Sequence, residues 1–202
     1  MSVDNFQLIK PLLKFDNEDE FYFLQVIQRK KDRKDVELDV KYVGSNNHSR
    51  LIKAYYIYSV EQLEKYKPEI IALCEMFKAR AGINLNRRNN KDMAFDINIL
   101  LAEYMKQGDF YGLSKLYNTV CGQAKGKDKT WLIDIDENSL DVVEECIKVI
   151  DKLEPFGVEK VLKVIPSKSG YHIISKAFNM KEFSKIFKYE VHKNNPTNLY
   201  IV

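Results

Sequence analysis

The chain has few of the residues that staple small folds together. Its 3 cysteines, Cys74, Cys121 and Cys146, lie far apart in 202 residues and show no C-x-x-C spacing. That argues against a disulfide framework and a cysteine zinc site, and free thiols on apolar helix faces suit a reducing cytoplasm. With 8 glycines and 5 prolines, there is no low-complexity tract and no internal repeat. No stretch approaches the roughly 18 consecutive apolar residues of a membrane span. The first residues, Met1 to Asn5, lack the charged and apolar regions of a signal peptide. Charge of one sign is missing too: 32 basic against 29 acidic residues give a net +3, too little to argue for nucleic acid by itself. P-loop, G-x-S-x-G and H-E-x-x-H motifs are absent, which sets those chemistries aside.

What remains is globular. Hydrophobic residues make up 45% and charged residues 30%, and a chain of this size buries roughly 70% of the surface that its unfolded form exposes. Its length fits one domain, or one domain with a small appendage. Basic residues cluster at Arg29, Lys30, Lys31, Arg33 and Lys34, at Arg87, Arg88 and Lys91, and at Lys125, Lys127 and Lys129. Each cluster reads first as a solvated loop and gains meaning only beside a site.

Phe21 to Gln28 is aromatic and β-branched, as strands are, and Val36 to Val43 alternates apolar and polar residues. Gly44 to Asn47 reads as a turn and Leu51 to Tyr58 as a third strand, so the N-terminal quarter predicts a small antiparallel sheet. Ser59 with Gln62 forms a capping box that opens a helix to about Lys78, with a possible break at Pro68. A strand at 81–86, helices at 91–106 and 109–120 and a basic glycine-containing loop at 122–129 follow. The second half alternates more regularly. Trp131 to Asp136 is a strand, Asn138 or Ser139 caps a helix, Val158 to Ile165 and Tyr171 to Ser175 are strands, Asn179 with Glu182 caps a short helix, and Thr197 to Val202 closes the order. This β-α-β-β-α-β order predicts an α+β fold with a split βαβ, ferredoxin-like core.

Asp134 and Asp136 are separated by one residue, so a strand puts both on one face, about 7 Å apart along the backbone. Two carboxylates so placed repel unless a cation or basic group lies between them, and an all-oxygen set suits Mg²⁺ or Mn²⁺. The plainer alternative is that they end a strand and cap the next helix. A later turn, Ser167 to Gly170, precedes His172, and its small hydroxyl residues with Lys168 offer a cradle for phosphate oxygens. A single strand histidine is equally at home as a structural residue. Arg80, Arg87 and Arg88 are candidates to line a nucleic-acid groove, since guanidinium forks suit phosphate, or else they belong to a solvated strand end.

The ordered pair Asp134-Ile-Asp136 and Ser169-Gly-Tyr-His172 resembles the archaeo-eukaryotic primase superfamily over residues 131 to 202. That resemblance implies a primase-type core at 126–202, with 1–125 as an N-terminal β-rich and helical part. It implies metal ligation by Asp134, Asp136 and a third acid, for which Glu190 is the candidate although aspartate is usual there. Lys168, Ser169, Gly170 and His172 would contact the nucleotide. The expected activity is metal-dependent nucleotidyl transfer with Mg²⁺ or Mn²⁺, from nucleoside triphosphates on a single-stranded DNA or RNA template. The setting it implies is cytoplasmic and away from membranes, with a phage-encoded origin and a replication-protein partner among the expectations. The alternatives are an inactive primase-like module that binds nucleic acid or protein, and a metal-dependent nuclease.

Overall fold

The computed structural model describes residues 2–29 and 49–202. The expected strand at 36–43, the turn at 44–47 and the basic run from Lys30 to Lys34 lie outside the described residues. The described part is α+β, with two antiparallel sheets.

The larger sheet is built from β1 (Val3–Asp4), β2 (Glu20–Gln28), β3 (Arg50–Ile57), β4 (Arg80–Ile83) and β10 (Thr197–Ile201) in the order β1-β10-β4-β2-β3, with β5 (Arg88–Asn89) paired to β2. Strand β2 is apolar on both sides because both of its faces are covered. Tyr22, Leu24 and Val26 join the main core with Leu63, Ile70 and Cys74 of α2 (Val60–Phe77). Phe21 and Phe23 face the other way, onto Met93 of α3 (Asn90–Gln107) and Val120 and Cys121 of α5 (Leu116–Gln123). A short α1 (Phe6–Ile9) adds Phe6 and Ile9 to the main core, and α4 (Phe110–Leu113) links α3 to α5.

Helix α2 starts as its sequence predicts. The Ser59 side chain accepts the Gln62 N–H at 3.1 Å, and the Gln62 side chain accepts the Tyr58 N–H at 2.7 Å, one residue before the cap. It runs unbroken through Pro68, which is exposed and removes one backbone donor from the helix ladder.

The smaller sheet contains β6 (Thr130–Ile135), β7 (Val161–Pro166), β8 (Tyr171–Lys176) and β9 (Glu190–His192) in the order β7-β8-β6-β9. Helix α6 (Leu140–Lys152) connects β6 to β7, and α7 (Met180–Ile186) connects β8 to β9. Each of these connections skips one strand, so the two β-α-β units interleave. Ile133, Ile135 and Ile173 on one face pack against Val143, Cys146 and Ile150 of α6 and Phe183 of α7. On the other face, Leu132, Ile165 and Ile174 belong to the main core shared with the larger sheet.

The fourth strand of this sheet is therefore the three-residue β9, and the stretch at 197–202 expected to close the order lies elsewhere. Strand β10 sits between β1 and β4 of the larger sheet, with Val3 opposite Ile201 and Thr197 opposite Ile83. Residues 126–202 thus contribute to both sheets.

Candidate functional site

Alternation along β6 sends Ile133 and Ile135 toward the helices and leaves Asp134 on the opposite face, two residues beyond the buried Leu132. The register then sets its neighbours. Asp134 is directly opposite His172 on β8 and directly opposite Glu190 on β9. Paired residues of antiparallel strands share a face, so one row of side chains crosses three strands as His172, Asp134 and Glu190.

His172 is almost buried, and its ring is held on both sides. Nδ1 lies 3.2 Å from Thr197 Oγ1, and Nε2 lies 3.3 Å from Asp134 Oδ1 and 3.3 Å from the side-chain nitrogen of Asn198. Thr197 and Asn198 belong to β10, so the histidine joins the two sheets at their seam. The primary structure gave no pattern pointing to these two residues as its partners. His172 was expected to contact phosphate, and in the structure its ring atoms are engaged by the protein itself.

The His172 hydrogen bond holds the Asp134 carboxyl below the usual carboxylate range, against the opposing effect of burial, with help from the charges of His172, His192 and Arg29. A carboxyl with a depressed folded pKa stabilises the protein above its unfolded value, and that contribution is lost as the pH falls through the folded pKa. Urea unfolding between pH 7 and pH 2 is therefore expected to show a steeper acid loss of stability for the wild type than for Asp134→Asn. Parallel curves for the two proteins would remove Asp134 from the linkage.

The remaining acids have protein partners as well. Asp136 Oδ1 accepts the Ser169 hydroxyl at 3.1 Å, and Glu190 Oε2 lies 3.2 Å from His192 Nε2. Glu190 is 78% exposed and Asp134 34% exposed, so both carboxylates can be reached from solvent. As a donor set, Asp134, Asp136 and Glu190 fit a hard divalent cation in kind, being carboxylate oxygens only. Among the described residues, however, no three His, Cys, Asp or Glu side chains gather as a metal-binding group.

The turn between β7 and β8 owes its glycine to packing. A Cβ on Gly170 would lie 2.0 Å from the Ile135 carbonyl oxygen and within 3 Å of the Glu137 backbone. The hairpin tip is thus pressed directly against the end of the D-x-D strand, which places Ser169 on Asp136. The Ser167 hydroxyl accepts the Gly170 N–H at 3.1 Å, and the exposed Lys168 ammonium donates to the Val202 carbonyl at 3.3 Å.

The three arginines expected at a nucleic-acid groove are placed differently. Arg87 is buried and ion-paired to Asp128, Asp16 and Glu20, with closest contacts of 2.7–2.8 Å. Arg88 is buried, donating to the carbonyls of Cys121 and Asn86 at 2.7 Å and to Asn194 Oδ1 at 3.1 Å. Both guanidiniums are engaged by partners inside the protein. Arg80 is half-buried in β4 opposite Ile27 and Ile201 and is also engaged within the protein. No helix among the described residues is long and apolar enough to cross a membrane. No protein-family model, no curated protein and no solved structure matches the chain.

Proposed function

We propose that the chain is a primase-type nucleotidyltransferase core acting on nucleoside triphosphates and a single-stranded template. The observation that carries this reading is the register row. An acid on β6, the histidine of the S-G-x-H turn strand and a third acid on β9 line up across adjacent strands of an interleaved β-α-β-β-α-β sheet. In this reading Asp134, Asp136 and Glu190 hold Mg²⁺ or Mn²⁺, which supplies Lewis-acid neutralisation of phosphate charge. His172 is a positioning residue, fixing the direction of the Asp134 carboxylate through its ring and anchoring that ring to β10. Ser169 holds Asp136, and the exposed Lys168 at the hairpin tip is the cation nearest in sequence to meet a triphosphate.

The test is incorporation of labelled nucleotides on a single-stranded template with Mg²⁺ or Mn²⁺, wild type beside Asp134→Ala/Asp136→Ala. Product from the wild type, reduced by roughly a hundredfold or more in the variant, is expected, since misplacing a reacting geometry by about 1 Å already costs that much. A folded wild type that makes no product with either metal and either sugar ends the reading.

A second reading, a primase-like module that binds nucleic acid or a protein without turnover, is favoured by one observation. Asp134, Asp136 and Glu190 each already have a partner in the protein, and among the described residues no three His, Cys, Asp or Glu side chains gather as a metal-binding group. Template binding that survives in the double variant, with no incorporation by the wild type, supports it. Cleavage of a labelled strand without added nucleotide points instead to a nuclease.

A further inference from the structure

A second site lies at the opposite end of β6 from Asp134. Thr130, the first residue of β6, is paired with Lys176 on β8, and both line a cavity of about 550 Å³. Strand rise puts this cavity about 13 Å from Asp134 along β6. Its lining combines the apolar side chains of Leu12, Leu85 and Leu162 with Lys14, Lys129 and Lys176. The volume falls in the range of small-molecule pockets.

The three lysines stand on fixed backbone. The Tyr22 hydroxyl accepts the Lys14 N–H at 2.8 Å and donates to the Lys14 carbonyl at 3.2 Å, tying that segment to β2. Lys129 follows Asp128, whose carboxylate is gripped by Arg87 at 2.8 and 3.0 Å. Lys176 sits in the β8 ladder, and its N–H donates to the Lys160 carbonyl at 2.8 Å. None of the three ammoniums pairs with a carboxylate among the described residues. The one acid in the lining, Asp128, is ion-paired to Arg87, a partner it shares with Asp16 and Glu20, and against the effect of burial that guanidinium holds its carboxyl below the usual range. The lining therefore combines three lysines that have no carboxylate partner among the described residues with three leucines.

We propose that this cavity binds a nucleoside phosphate, with the phosphate on the lysines and the nucleoside against the leucines. The ligand is either a free nucleotide or one segment of a single strand, which share this chemistry. The proposal is independent of the acid row and needs no metal. Methyl NMR of the intact protein in the presence of EDTA tests it, with ADP and a short oligothymidylate as separate probes. Resonances of Leu12, Leu85 and Leu162 are expected to shift with one probe or both. Whichever probe binds names the source of the phosphate.

Lys14→Ala/Lys129→Ala/Lys176→Ala should weaken that binding by roughly threefold to a hundredfold, the combined loss of three solvent-screened charge contacts. Added salt should weaken it further. Asp134→Ala/Asp136→Ala should leave it unchanged, which separates failure here from failure of the nucleotidyltransferase reading. Silence of the three leucines with both probes overturns the proposal, as does binding that ignores the lysine variant. These surface substitutions spare the core, and the methyl spectrum itself reports whether the variant is folded.

Discussion

Arg87→Met is expected to lower folding stability by about 3–5 kcal/mol, the usual cost of removing one partner from a buried ion pair. In a chain of this size that corresponds to a fall in melting temperature of roughly 6–20 °C. The reason lies in Glu20, which is 1% exposed and sits 2.8 Å from the Arg87 guanidinium. Its carboxyl is held low by a hydrogen bond from Lys127 and, against burial, by the charge of Arg87. Without the arginine, Glu20 keeps Lys127, a 56% exposed side chain at 2.9 Å, and a hydrogen bond involving Asn17. Asp128 loses its bidentate partner at the same time. Adding Glu20→Gln to Arg87→Met should recover part of the loss, because it removes the stranded buried charge. Thermal and urea unfolding of the two variants check both expectations. A single variant within 1 kcal/mol of wild type would show the network to be electrostatically idle.

Gly170→Ala should damage both the fold and the proposed site. The new methyl would meet the Ile135 carbonyl at 2.0 Å, and a backbone atom has no rotamer through which to withdraw. The hairpin tip has to lift from the end of β6, at a cost of roughly 1–3 kcal/mol as for other overpacked positions. Lifting it carries Ser169 away from Asp136, and a displacement near 1 Å in a reacting geometry is worth about a hundredfold in rate. Gly122→Ala is the matched control. It lies in α5, and a Cβ there meets nothing within 4 Å, so alanine should raise stability by about 0.5–1 kcal/mol. Equal melting temperatures for the two variants would contradict the packing argument.

Local chemistry was readable from the residues, and partnership across the chain was not. Ser59, Ser139 and Asn179 cap their helices as expected, because a cap is a bond between residues three apart. Strand β6 lies within one residue of its expected bounds, since its apolar run and terminal acids are visible in six consecutive residues. Arg87 and Arg88 were read partly as groove cations because a charge in sequence carries no sign of its partners. Here those partners come from β2 and the loops at 16 and 128, and from α5 and Asn194. The closing strand lies in the larger sheet rather than the expected smaller one for a similar reason. An alternating pattern at Thr197 to Ile201 specifies a strand with one buried side and leaves its neighbours unstated. The contacts of His172 with Thr197 and Asn198 depend on that choice of sheet, which the strand pattern does not encode.

The position of β10 also bears on how the protein is made. Synthesis releases β2, β3 and β4 from the ribosome long before Thr197 to Ile201, yet β10 is the strand that bridges β4 to β1. Until it emerges, the β4 edge that β10 covers in the folded protein lacks that partner, which is the kind of edge that recruits strands from other chains. The growing polypeptide is thus most exposed to aggregation during a defined interval of translation. Shortening that interval, or shielding β4 with a chaperone during it, is the natural lever on yield.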